Sequence, residues 1–229
     1  MEQALLQAEQ EMKYLEQYRE EICTYASADA QSILKMPSEI GCNLVGMVKN
    51  LSVKYTRNDH KEFAVFQIQD FSGTIECVCY NREFLKCKDY LQNGNIVYVR
   101  ALTKKNSELA ASTLVLNEAA VLIEQAVVQR TDEIHLHLHE QNFEQGIFDR
   151  LTEIIQKYQG NTPVILCIET VEKTVAFIET SLRYSVSVSR ELLNELETLL
   201  GSNCYRLKAN MEVPQPRVRR EWKKEDDDE

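Results

Sequence analysis

The sequence predicts an α+β fold: an N-terminal helix, a five-stranded β-barrel, a small α+β domain and a disordered charged tail. Three observations predict it. Apolar residues recur at helical steps up to about residue 36, the period changes to two from Gly41, and helical and strand periods alternate beyond Arg130. The 229 residues are 44% hydrophobic, enough for one large core or two small ones and against wholesale disorder. No apolar run approaches the roughly 18 residues of a membrane span. The start, MEQALLQAEQEMKYLEQ, is acidic and lacks the basic opening and apolar centre of a signal peptide, so a cytoplasmic chain is expected.

Residues 2–25 read as a helix, with Leu5, Ala8, Met12, Leu15, Ile22 and Tyr25 at three- and four-residue steps. A shorter helix over Ala28–Met36 stops at Pro37; residues 1–40 form the N-terminal helical segment. Asn43–Thr56 has strand character, with Gly46 at a bulge or bend. After the polar turn 57–61, Glu62–Asp70 alternates cleanly: Phe63, Val65, Gln67 and Gln69 on one face, Ala64, Phe66 and Ile68 on the other. Phe71-Ser72-Gly73 turns into a third strand, Thr74–Tyr80, and a short helix over Arg82–Tyr90 ends at Asn93-Gly94. Asn95–Thr103 is a fourth strand, Lys104–Glu108 a turn, and Leu109–Leu122 the last strand. Three strands, a helix and two more strands are the order of an OB-fold barrel, here over residues 41–125.

A second unit, residues 130–210, opens with the strand Glu133–His139 and the helix Phe143–Tyr158. Strands at Pro163–Thr170 and Lys173–Glu179, a helix Arg190–Leu200 capped by Ser189, and a strand Cys204–Lys208 complete a small α+β domain. Residues 211–229 hold two of the four prolines and then charge blocks, and read as a disordered tail.

The net charge of −10 hides an asymmetry. Residues 41–106 carry ten basic and six acidic side chains, whereas residues 1–40 carry three and eight and residues 107–216 carry eight and sixteen. Local charge sets the field a phosphate feels, so the barrel is the candidate nucleic-acid binder. OB barrels hold single strands with a basic groove and exposed rings under the bases. Lys49, Lys54, Arg57 and Lys61, with His60, supply charge, and Tyr55, Phe63, Phe71 and Tyr80 supply rings. Lys104 and Lys105 stand at the loop between strands four and five, the other loop such folds use. Phe63 alternates with Phe66, so one of the two belongs to the core.

Other chemistries find less support. The seven cysteines are odd in number and show no C-x-x-C pair, which reads as reduced, mostly buried thiols. Asp70 beside Ser72-Gly73 reads as a turn residue bonding its own backbone. His135, His137 and His139 share one strand face, the pattern of a metal site, yet no fourth ligand stands at a fixed spacing. The expected role is the polar face of an edge strand, without metal or other cofactor.

Val45-Gly46-Met47-Val48, the basic stretch Lys54–Lys61 and the run Phe66–Tyr80, with Asp70-Phe71-Ser72-Gly73-Thr74-Ile75-Glu76 as its sharpest motif, resemble the C-terminal OB domain of the bacterial DNA polymerase III alpha subunit. The following strand and helix pattern, through the E-L-L-x-x-L-E run at Glu191–Glu197, is similar to the region that follows that domain, so the resemblance covers about residues 41–208. It implies a non-catalytic module that binds single-stranded nucleic acid, DNA by preference, in replication. The catalytic domains of that family would need many hundreds of residues more. Implied partners are replisome proteins such as the polymerase catalytic part or the clamp-loader tau subunit. The alternative is a protein-interaction module whose OB groove is filled by protein, with the acidic residues 1–40 on the basic face.

Overall fold

The computed structural model describes residues 2–105 and 112–216. The N-terminal helix is broken into α1 (Glu2–Glu16) and α2 (Arg19–Tyr25), and α3 (Ala30–Lys35) follows. Helical spacing runs straight through the break at Gln17–Tyr18, but Arg190 holds it open by donating to the Gln17 carbonyl. Asp29 caps α3, its carboxylate accepting from Ser32 N at 2.7 Å.

β1 (Gly41–Tyr55), β2 (Glu62–Gln69) and β3 (Thr74–Tyr80) form an antiparallel meander, and α4 (Asn81–Cys87) leads to β4 (Ile96–Lys105) and β5 (Ser112–Leu116). The first half of β1 pairs with β4 and its second half with β2, while β5 joins β4 antiparallel and β3 parallel. The ring β1-β2-β3-β5-β4 therefore closes on itself as an OB barrel, with its helix between strands three and four. Inside lie Leu44, Val48, Ala64, Phe66, Ile68, Ile75, Cys77, Cys79 and Val99. Ile33 of α3 plugs one end and Phe84 and Cys87 of α4 the other. Phe66 is thus the core member of its pair and Phe63 the outward one, as strand alternation requires.

Asp70 ties the barrel to α3. One carboxylate oxygen accepts from Ser72 N (2.7 Å), Ser72 Oγ (2.7 Å) and Gly73 N (3.0 Å), and the other from Ala30 N (2.7 Å). Gly46 serves close approach rather than a bulge: a Cβ there would meet the Gln69 carbonyl oxygen at 2.4 Å. The bulge lies four residues on, at Asn50–Leu51, where Asn50 has φ +51°.

The segment expected as one last strand to Leu122 contains β5, a short β6 (Val121–Leu122) and then α5 (Ile123–Arg130), which runs directly into β7 (Thr131–His139). α6 (Ile147–Lys157) begins later than its apolar spacing suggested, because Gly146 at φ +79° interrupts the helical path. β8 (Gln159–Thr162), β9 (Val164–Glu169), β10 (Val175–Glu179), α7 (Arg190–Leu200) and β11 (Tyr205–Ala209) complete the chain. The second sheet has the order β10-β9-β7-β11. β7 is consequently an interior strand, with β9 parallel on one side and β11 antiparallel on the other, and not the edge that its histidines suggested.

The two sheets share apolar packing: Val45, Met47 and Tyr98 of the barrel join Ile22, Tyr25, Ile123, Leu136 and Leu192 in one cluster. Of the expected tail, residues 211–216 run beside the barrel, where the Glu212 carbonyl accepts from Asn43 Nδ2 (3.0 Å) and Arg100 Nη2 (3.3 Å). Residues 217–229 lie outside the described residues.

Candidate nucleic-acid interface

Residues opposite one another on antiparallel strands project to the same side. Since Ala64, Phe66, Ile68, Ile75, Cys77 and Cys79 point inward, their alternates make the outer face of β1, β2 and β3. Read across the strands, its rows are Lys54–Phe63–Tyr80, Ser52–Val65–Val78, Lys49–Gln67–Glu76 and Met47–Gln69–Thr74. Lys49 and Lys54 are an odd number of residues apart and would face opposite ways on a regular strand. The extra residue at Asn50–Leu51 brings both to this face, and Asn50 Nδ2 to Gln67 Oε1 (2.7 Å) fastens the bulge.

The first row carries the rings. Phe63 and Tyr80 stack at 5.5 Å between centroids with 29° between planes, and Tyr80 is 42% exposed. Below them Val65 and Val78 are half-buried and turned outward, continued on β5 by Val115 opposite Val78. The result is an apolar floor beside a ring pair, suited to the faces of unstacked bases.

The end of β1 and the start of β2 project beyond the barrel as an arm. Val53, Lys54 and Tyr55 are exposed, Tyr55 at 61%, and the Tyr55 hydroxyl donates to Glu62 at 3.2 Å. Thr56 N donates to the Lys61 carbonyl (3.0 Å) and Lys61 N to Thr56 Oγ1 (2.9 Å), closing the tip. Asp59 accepts from the Thr56 hydroxyl and pairs with Lys61 Nζ at 2.7 Å. Those two hydrogen bonds, Lys61 first, lower its carboxyl to about 2, so it stays ionised at any ordinary pH. Among the described residues, no carboxylate lies within ion-pair distance of Lys54 or Arg57.

The other expected residues divide. Lys104 is opposite Thr113, an outward position of β5, so it stands on the same outer surface beyond β3. Lys105, the next residue, projects to the other side of its strand, and its backbone N–H is held by Ser38 Oγ at 2.8 Å. Both belong to the end of β4 rather than to the turn; residues 106–111 lie outside the described residues. Phe71 is off the face altogether: it packs beside α2 under the Arg19 guanidinium, 4.4 Å from its centroid. Sequence reading missed Val65, Val78 and Val115, whose signal was an apolar residue on the polar phase of an alternating strand.

The three histidines share one face of β7, opposite buried Ile134, Leu136 and Leu138. His135 contacts Glu133 (3.0 Å) and Cys167 Sγ (3.8 Å), and His139 contacts Glu169 (3.0 Å). Desolvation, then Arg206 and the two flanking histidines, push His137 below the ordinary histidine range. No cluster of three or more metal-ligating side chains forms among the described residues.

Residues 42–136 match the family model described as an OB-fold nucleic acid binding domain. The DNA polymerase III alpha subunit of Aquifex aeolicus is 25% identical over 158 residues, which span 68% of this chain and 13% of that protein. Among solved structures, the mitochondrial single-stranded DNA binding protein Rim1 of S. cerevisiae is 17% identical, with a TM-score of 0.31 over 36% of this chain and 94% of its own. Asparaginyl-tRNA synthetase from Pyrococcus horikoshii is 15% identical, with a TM-score of 0.34 over 42% of this chain and 22% of its own. The barrel of this chain has the OB fold and matches the model of OB-fold nucleic acid binding domains, in a sequence that resembles part of the DNA polymerase III alpha subunit.

Proposed function

We propose that the chain is a non-catalytic, cytoplasmic module that binds single-stranded DNA in replication. The strand lies across the outer face of β1, β2 and β3, bases on the Phe63–Tyr80 pair and the valine floor, phosphates toward Lys54, Arg57 and Lys61. The observation that carries this reading is the stacked, solvent-facing ring pair beside an arm of cations. A core has no use for a ring at 42% exposure, whereas a single strand needs ring faces and local positive charge together. DNA rather than RNA, and replication rather than another setting, follow from the resemblance to the polymerase subunit. In the same reading the acidic second unit docks a replication protein such as the polymerase catalytic part or the clamp-loader tau subunit.

Fluorescence anisotropy of a labelled oligo-dT tests the reading. Binding should weaken with salt along a slope of about −0.7 per neutralised phosphate. Absence of binding at low salt would overturn it.

One observation favours the rival reading, a groove filled by protein: part of α1 already occupies a cation of the face. Residues 1–40 as a whole are no removable lid, however, because Ile33 of α3 plugs the barrel and Ile22 and Tyr25 of α2 belong to the shared core.

A further inference from the structure

The strand face is open over the Phe63–Tyr80 and Val65–Val78 rows and covered beyond them. Glu11 of α1 meets Lys49 Nζ at 2.5 Å, with the two side chains only 21% and 25% exposed. Met12 Sδ lies 3.9 Å from Gln69 Nε2. Met47, outward-facing opposite Gln69, is buried in the cluster that includes Leu15. One end of the OB face is therefore roofed by a helix holding four acidic residues and one basic one.

That roof is attached at one end. The Gln17–Tyr18 break is clamped by Arg190, which donates to the Gln17 carbonyl and to Glu21 (2.9 Å) and stacks 4.4 Å over the Tyr18 ring. Leu15, next to the clamp, is fully buried. Further out, the described polar contacts of α1 with the barrel are the Glu11–Lys49 pair and the Met12–Gln69 contact. A single ion pair of this kind is weak enough to exchange for another anion.

We propose that the first turns of α1 compete with the nucleic-acid strand for Lys49, so that a strand long enough to cross the whole face must lift Glu2–Met12 away while buried Leu15 and the Arg190 clamp hold the end of the helix. This rests on the strand-binding reading above. Glu11 supplies to Lys49 the negative charge that a phosphate would supply. A short strand fits the two open rows without disturbing it, whereas a long one has to displace it. The helix thus sets the length of strand the chain accepts.

The test is anisotropy with the full chain, using labelled oligo-dT of about 4 and about 16 nucleotides, the span of OB site sizes. Glu11→Ala should tighten the long oligonucleotide about two- to fivefold, the scale of one exchanged ion pair. It should leave the short one unchanged, and the gain should vanish in a Lys49→Ala background. An equal gain on the short strand, or one that persists without Lys49, would mean general charge repulsion and overturn the competition. No gain on the long strand, while wild type keeps binding that depends on Tyr80, would overturn it and leave the strand-binding reading standing. No binding by either protein at low salt would remove both.

Discussion

Tyr80→Ala should weaken oligo-dT binding at least about fivefold at low salt, since each stacked base contributes about 1–3 kcal/mol. The ring is 42% exposed and its described partner is Phe63, so its contribution to the fold is confined to one surface stack, about 0.5–1.5 kcal/mol. Thermal unfolding should accordingly shift by only a few degrees. Tyr80→Phe keeps the ring face and should bind nearly as wild type, whereas Tyr80→Leu keeps bulk without a ring and should bind like the alanine variant. Phe63→Ala should also weaken binding, because Phe63 backs the exposed ring at 5.5 Å and sets its plane. Less than a twofold loss for Tyr80→Ala, with the fold intact, would remove stacking on this pair from the account.

Lys54→Ala/Arg57→Ala/Lys61→Ala should act on the salt dependence. Three lost phosphate contacts at about 0.7 each would flatten the slope of log affinity against log salt by about 2. The variant and wild type should then differ most at low salt and converge as salt rises. The Asp59–Lys61 pair bears on the size of the change. A carboxyl with a pKa of about 2 holds Lys61 at neutral pH, and a phosphate must take the ammonium from it. A flattening of about 1.4 would show that Lys61 stays with Asp59 and that Lys54 and Arg57 alone meet the strand. An unchanged slope would place the phosphates elsewhere.

Much of the barrel could be read from residue order. The alternation of Glu62–Gln69 and of Thr74–Tyr80 assigns each residue to a face, and the short turn at Asp70–Gly73 sets the two strands in register. Together these put Phe63 opposite Tyr80 and Phe66 in the core. Asp70 was legible too, because its bonds to Ser72 and Gly73 are local. What could not be read depends on partners distant in sequence. Lys104 reaches the face only because β5 closes the barrel against β3, a parallel pairing across the α4 segment. Lys49 shares the face with Lys54 through a bulge that periodicity does not reveal. Phe71 looked like a ligand ring until Arg19, from a helix some fifty residues earlier, covered it. The helical period of residues 2–25 gave no warning of the break that Arg190 imposes. The histidine strand looked like an edge because its exposed phase is polar, but an interior strand of a one-sided sheet has the same phase.

The most direct test of the central claim is an amide-resolved NMR titration of the isotope-labelled chain with oligo-dT. Perturbations should gather on Ser52–Lys54, the arm through Lys61, Phe63–Gln67 and Val78–Tyr80. Perturbations gathered instead on the His135–His139 face of the second sheet, with the β2–β3 face silent, would contradict it.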